Sequence, residues 1–215
     1  MPKVVVKIGG SVAIDENGPI RNYFKRLVPI LKEVEKTNDL YVVIGGGKVA
    51  RNYFRRMKGM VSNRKAEWVL IDILHANGRF LSFLLGAKFI SKKNEIGKAP
   101  MVASGFEPGH SSDGTAAIIA SKVGADALII ITDVKGIYDK NPKKHRNAKL
   151  IKRMSFEEAK KITMDGSPVN YGVVDKTALE LIIKNKIKTF VVGKNPKNIL
   201  KVLNGENPGT MIYSE

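Results

Sequence analysis

Short apolar runs alternate along the chain with longer segments in which apolar residues recur three and four apart. Runs of the first kind lie at 4–8, 41–44, 100–103, 128–131, 189–192 and 210–213, and Val, Ile and Leu dominate those at 4–8, 41–44 and 128–131. That content predicts strands, several of them buried on both faces as in a parallel sheet. Between them the helical spacing predicts helices over 20–36, 49–60, 68–84, 115–123, 156–162, 175–184 and 198–203. In the first helix Ile20, Phe24, Leu27, Ile30, Leu31 and Val34 fall on one stripe, the buried face. Ser155 with Glu158 forms a capping box that fixes the start of another. Strand and helix in alternation predict an α/β protein, a largely parallel sheet covered by helices, in a single domain over 1–215.

Four connections carry more glycine and polar residues than turns need: 9–18, 45–48, 105–114 and 132–144. Each follows a predicted strand, which puts it at the carboxyl end of the sheet, where open α/β sheets bind ligands. The first reads Lys7-Ile8-Gly9-Gly10-Ser11. Glycine lets backbone N–H groups approach phosphate oxygens and the lysine adds a charge, although Gly-Gly alone also makes a plain tight turn. The second, Gly45-Gly46-Gly47, leads into a helix whose first turn offers unpaired N–H groups to an anion. Arg51, one turn in, reaches the same anion or faces water. The spacing matches neither a Walker A loop nor the GxGxxG dinucleotide fingerprint. In the third, Ser111, Ser112 and Asp113 are helix N-cap residues, and their positions equally suit a phosphate; His110 stands beside them. The fourth brings Thr132 and Asp133 off a strand, then Tyr138 and Asn141 after the Gly136 turn, an aromatic face and polar groups that suit a nucleoside. Tyr138 equally suits a half-buried loop anchor. The segment 165–172 reads as a mobile loop.

Composition narrows the chemistry. The 215 residues are 43% hydrophobic and 27% charged, the balance of a globular chain. The absence of cysteine excludes disulfides, thiolate zinc sites and cysteine nucleophiles. His75, His110 and His145 are too scattered in sequence for a histidine-built metal site, so no metal ligands are assigned to the chain. Net charge is +17, from 37 basic and 20 acidic residues. Such a charge fits a nucleic-acid binder, an enzyme that draws in phosphorylated substrates, or a solvated lysine-rich surface. Phe and Tyr are assigned mostly to apolar faces, which speaks against nucleic acid as a partner. No apolar run approaches the ~18 residues of a membrane span, and the first residues read as a strand and not a secretion signal. A cytoplasmic location and no membrane partner are expected.

The order of the four loops is more specific than any one of them. Strand-KxGGS, strand-GGGxxxR, PGHSSD before a helix, and TDVxGIY followed by NPK together resemble the amino acid kinase superfamily, most closely its archaeal-type UMP kinases. The resemblance runs over nearly the whole chain, including NKIKTFVVGKNP and GENPGTMI in the tail. It implies a three-layer α/β/α sandwich, phosphorylation of UMP to UDP by ATP with Mg²⁺ in pyrimidine nucleotide biosynthesis, and a homo-oligomer, a hexamer in this family. It further implies catalytic roles for Lys7 and Asp133, the latter as the acid that orients lysines. ATP contacts are implied for Gly10, Ser11, Gly47, Arg51, Thr132, Asp133, Tyr138 and Asn141. UMP contacts are implied for Gly46, Glu67, Phe106, Glu107, Pro108, Gly109, His110, Ser111 and Ser112. A phosphate monoester, with a second pKa near ~6, is already ionised at neutral pH, so no general base is required.

The chain departs from the family pattern on the acceptor side. Glu67 replaces an aspartate, Leu70, Leu74, His75 and Asn77 stand on the following helix, and Phe106 takes the place of a threonine. Lys176 follows Asp175 where proline is usual. These changes leave two alternatives open, a superfamily kinase with another phosphorylated or carboxylate acceptor and a basic nucleic-acid-binding regulator on the same fold. The stretch KVARNYF lacks the histidine of isopentenyl phosphate kinases, which argues against that branch.

Overall fold

Alternation along β1 (Lys3–Ile8) sends Val4, Val6 and Ile8 into one hydrophobic cluster and Val5 into another, so the first strand already has two buried faces. The computed structural model describes residues 1–164 and 174–214, and the loop expected over 165–172 lies outside them. After β1 come α1 (Gly10–Ala13), the hairpin β2 (Ile14–Asp15) and β3 (Gly18–Pro19), α2 (Arg21–Glu35) and β4 (Asp39–Ile44). Then follow α3 (Gly47–Met57), α4 (Asn63–Leu85), β5 (Lys88–Ile90), β6 (Met101–Ala103), α5 (Ser112–Val123) and β7 (Ala127–Thr132). The rest is β8 (Arg153–Ser155), α6 (Phe156–Met164), α7 (Lys176–Lys184), β9 (Thr189–Gly193), α8 (Lys197–Leu203) and β10 (Thr210–Tyr213).

Eight strands form one sheet in the order β5-β6-β4-β1-β7-β9-β10-β8. The pairs from β5 to β9 are parallel; β10 runs antiparallel to β9, and β8 follows β10 in parallel. On one face Val6, Ile44, Ile129 and Ile131 meet Phe24, Leu27, Leu31 and Val34 of α2, Leu81 and Leu85 of α4, and Ile199 and Val202 of α8. On the other, Val5, Val43, Leu128 and Ile130 meet the alanine-rich side of α5 and Ala178, Leu179 and Ile182 of α7. The result is the three-layer sandwich. Each fully buried Val, Leu or Ile contributes about 1.5–3 kcal/mol, which makes β1, β4 and β7 the rigid centre of the molecule.

All six predicted strands and all seven predicted helices form, with shifted ends. α3 is assigned from Gly47, the third glycine of its loop, and α4 starts at Asn63, behind Ser62 as N-cap. Ser155 and Glu158 make the expected box, with N–H···O distances of 2.7 and 3.2 Å. Tyr23 joins the buried face of α2, while Ile20 and Ile30 only pack against its edge. The helix turn α1 and the hairpin β2–β3 occupy the loop expected over 9–18.

Two surface features go beyond what the sequence pattern shows. No unbroken apolar run reaches membrane length, yet α4 is, among the described helices, the one long and apolar enough by length and composition to cross a bilayer. It is docked on the sheet through Leu81 and Leu85 and carries Arg64, Lys65, Glu67, Asp72 and Arg79. Most of the described Phe and Tyr residues are buried or half-buried, in keeping with their apolar faces, and Tyr53, Phe54, Phe80 and Phe83 are exposed. Apart from Met1, the exposed large hydrophobics among the described residues are Tyr53, Phe54, Met60, Val61, Trp68, Val69, Phe80 and Phe83, all on α3, α4 or the turn between them.

Candidate active site

The carboxyl ends of β1, β4 and β7 deliver three of the four loops to one edge of the sheet, around a cleft of about 610 Å³. Lys7, Gly10, Ser11, Gly46, Gly47, Arg51, Thr132, Asp133 and Asn141 line it. Two glycines are dictated by contact. A Cβ on Gly10 would lie 2.1 Å from the Gly47 nitrogen, so the first two loops touch backbone to backbone. Gly47 itself has φ +65°, and a Cβ there would come within 2.4 Å of Ile14. That close approach leaves the cleft walled by peptide groups at the start of α3, a setting that favours anions.

Lys7, one residue before the end of β1, lies on the α5 side of the sheet and is buried. Its ammonium is 2.6 Å from the Asp113 carboxylate, with side-chain exposures of only 8% and 12%. Such a pair holds both charges in place, and losing one partner of a buried pair typically costs about 3–5 kcal/mol. The family resemblance makes Asp133 an acid that orients lysines; in the structure it holds Lys143, while Lys7 is held by Asp113. The Asp133 carboxylate accepts from the Lys143 ammonium and, at 3.3 Å, from the Thr132 hydroxyl. Partial burial alone would raise its pKa; the Lys143 charge and hydrogen bond outweigh that and hold it below the ordinary aspartate value. Lys143 is more than half exposed, and its backbone N–H donates to the Asn141 side chain at 2.9 Å.

The third loop is fastened at the N-terminus of α5. The Ser111 hydroxyl accepts from the N–H groups of Asp113 and Gly114 at 3.0 and 3.1 Å. It also donates to Asp175, whose other oxygen accepts from the Ala178 N–H at 2.9 Å and caps α7. One hydroxyl thus ties two helix starts together. Lys176 stays outside both site cavities, 4.0 Å from Glu180 on the same helix.

A second cavity, of about 330 Å³, lies between α4 and this loop, lined by Glu67, Leu70, Ile71, Leu74, Glu107, Pro108, Gly109, His110, Ser111 and Ser112. Glu67 accepts from the Gly109 N–H at 3.0 Å, which fixes the loop against α4. Glu107 pairs with Lys93, whose hydrogen bond and charge lower its pKa, and lies 3.6 Å from His110 Nε2. Asn77, also on α4, donates to the Gly45 carbonyl at 3.3 Å and steadies the glycine loop from behind.

Of the residues named from sequence, Gly46 falls in the first cleft and not the second. Phe106 turns into the core beneath α5, and Tyr138 forms an antiparallel bridge with Leu150 outside the cleft lining. Asp113, Lys143 and Leu74 line the cleft although no local sequence signal gives them a role there. Asp113 reads as a cap, Lys143 is hidden in a lysine-rich run, and the spacing that puts Leu74 beside both cavities is visible only once α4 is placed. No three His, Cys, Asp or Glu side chains gather as a metal cluster among the described residues.

This architecture and loop order have relatives. The amino acid kinase family model matches residues 2–95 and 87–193, and the chain belongs to that family. A uridylate kinase of Thermococcus kodakarensis is 34% identical over 224 aligned residues, covering 98% of this chain and 99% of that one. One from Methanobrevibacter smithii is 32% identical, over 99% of this chain and all of its own. Among solved structures, uridylate kinase from Archaeoglobus fulgidus superposes with a TM-score of 0.87 at 30% identity, covering 98% of this chain and 99% of that one. UMP kinase from Bacillus anthracis shares the fold, with a TM-score of 0.82 at 19% identity, over 100% and 98% of the two chains.

Proposed function

We propose that the chain, as one domain, transfers the γ-phosphoryl group of ATP to UMP, giving ADP and UDP for pyrimidine nucleotide synthesis. The observation that carries this is the pair of adjoining cavities, one built of glycine-loop amides around Lys7 and one facing the Glu67 carboxylate, with Ser112 at the wall of both. The larger takes ATP, with Gly10, Ser11, Gly47 and Arg51 at its phosphates. Thr132, Asp133 and Asn141 lie toward the nucleoside, and Tyr138 shapes their loop. The smaller takes UMP, its ribose diol donating to Glu67 and its phosphate directed at the N-terminus of α5 beyond Ser111.

A phosphate oxygen of UMP forms the new bond to the γ-phosphorus as the β–γ bridging bond breaks and ADP departs. The attacking oxygen is already an anion, so catalysis consists of alignment and neutralisation of spreading negative charge. Lys7, clamped by Asp113, supplies a fixed charge beside the transferred group, and the Gly10 and Gly47 amides add donors. Lys143 offers a second, more mobile cation. Mg²⁺ enters as part of the nucleotide substrate, on the ATP phosphates; the carboxylates nearest the cleft, Asp113 and Asp133, are each engaged with a lysine. The enzyme works in the cytoplasm and self-associates, with the hexamer the arrangement the family resemblance implies, and the apolar surface of α3 and α4 supports self-association. The test is a coupled assay of ADP release with UMP, CMP and AMP. UMP should have the highest kcat/KM, and a better value for another acceptor would overturn the assignment.

A further inference from the structure

Among the described residues, two line both cavities, Ser112 and Leu74. Ser112 brings a hydroxyl and a helix-start N–H, groups suited to a phosphate. Leu74 brings neither. Its side chain reaches from α4 to the backbone of two loops: a Cβ on Gly46 would lie 2.4 Å from Leu74 Cδ1, and one on Gly105 would lie 3.2 Å from Cδ2. The isobutyl group therefore fills the space between the second and third loops, at the seam where the donor and acceptor cavities meet. Its surroundings make it conspicuous. With Ala50 and Val134 it is one of only three apolar side chains lining the donor cleft among the described residues, and the rest are polar, charged or glycine.

An apolar group in a cleft of phosphate-binding amides and cations adds nothing to phosphate binding. It offers an approaching water no hydrogen-bonding partner. An ordered water needs two to four polar partners, and Leu74 withholds them on the side of the seam that α4 forms. The distinction matters for this reaction. The acceptor oxygen is ionised without a base, so no proton-transfer device separates it from competing nucleophiles. A water at the seam could form the bond to the γ-phosphorus in its place; the β–γ bridging bond would break and the water proton would pass to solvent, leaving ADP and inorganic phosphate.

We propose that Leu74 is a specificity-determining residue that reserves the γ-phosphoryl group for the acceptor by keeping water out of the seam between the two cavities. This rests on the reading of the larger cavity as the ATP site and the smaller as the UMP site. The experiment measures ADP and UDP separately in the same reaction, and ADP release from ATP with UMP omitted. Wild type should give the two products in equal amounts. Leu74→Asn, which places hydrogen-bonding groups at the seam, should raise the ADP-to-UDP ratio severalfold and release ADP without acceptor. Leu74→Ala, which opens the seam and is the milder change for folding, should do the same to a smaller degree. Leu74→Met, apolar and similar in volume, should restore the equal ratio. A purely structural role would lower both products together and leave the ratio untouched. Equal products from folded Leu74→Asn and Leu74→Ala would overturn the inference while leaving the kinase assignment standing. A wild-type enzyme that forms no UDP from UMP would instead overturn the site reading on which it rests.

Discussion

Lys7 keeps an ammonium group in a place from which most water has been removed, and it does so because Asp113 lies 2.6 Å away. Two consequences can be separated. For the reaction, a fixed charge beside the transferred group matters most as negative charge spreads in the transition state, so Lys7→Ala should lower kcat by about 10²-fold or more at saturating substrates. Near-wild-type kcat would remove Lys7 from the mechanism. For stability, truncating one partner strands the other, so Lys7→Met should destabilise by about 3–5 kcal/mol, whereas Lys7→Met combined with Asp113→Asn should recover much of the loss in urea unfolding. Glu67 poses a narrower question, because a glutamine there can still accept the Gly109 N–H bond seen at 3.0 Å. Glu67→Gln therefore removes the charge offered to a ribose diol and spares the loop. UMP binding should weaken by about 1–3 kcal/mol with the KM for ATP nearly unchanged. A twofold or smaller effect on UMP would show that this carboxylate does not read the acceptor.

At the scale of elements, α5 begins where both substrates are placed, and its start depends on the Ser111 hydroxyl. Loss of a serine cap typically costs about 0.5–2 kcal/mol, and replacement by glycine far less. Ser111 also reaches Asp175 at the head of α7, so even Ser111→Gly should lose measurable stability. Ser111→Ala is expected at the upper end of that range in denaturant unfolding, with a raised KM for UMP; equal stability of Ser111→Ala and wild type would show that the tie between α5 and α7 bears no weight. Much of this was legible in the chain. The central strands could be read because Val, Ile and Leu dominate β1, β4 and β7, and α2 because its apolar stripe has a helical period. By contrast β5 and β8, three residues each, have no periodicity to detect and form by adding to an edge that already exists. The glycine loops were visible as glycine, but which acid meets Lys7 was not. That depends on β1 and the first turn of α5 coming to the same face of the sheet, a pairing of positions 7 and 113 that no local pattern records.

For the whole molecule, net charge and apolar surface oppose one another. A charge of +17 on 215 residues disfavours bringing two copies together, and it falls in effect as salt screens it. Yet apart from Met1 every exposed large hydrophobic among the described residues lies on α3, α4 or their turn, with Phe83 76% exposed and Trp68 half exposed. Monomeric proteins rarely confine their exposed apolar residues to one helix pair, and exposed aromatic and aliphatic side chains on such a pair fit an isologous contact with a second copy. Burial of apolar area is insensitive to salt, whereas repulsion between copies is not, so association driven by this surface should strengthen as ionic strength rises. The wild-type protein is accordingly expected to run above its 23.7 kDa chain mass in light scattering, at least as strongly at high salt as at low. Phe83→Glu, at a side chain largely in solvent, and Trp68→Glu, at a half-exposed one, should shift it toward monomer and lower the midpoint of thermal unfolding measured at high protein concentration. A wild-type monomer at high salt, or a Phe83→Glu variant with the wild-type assembly, would show that the copies meet elsewhere and that this face serves another partner.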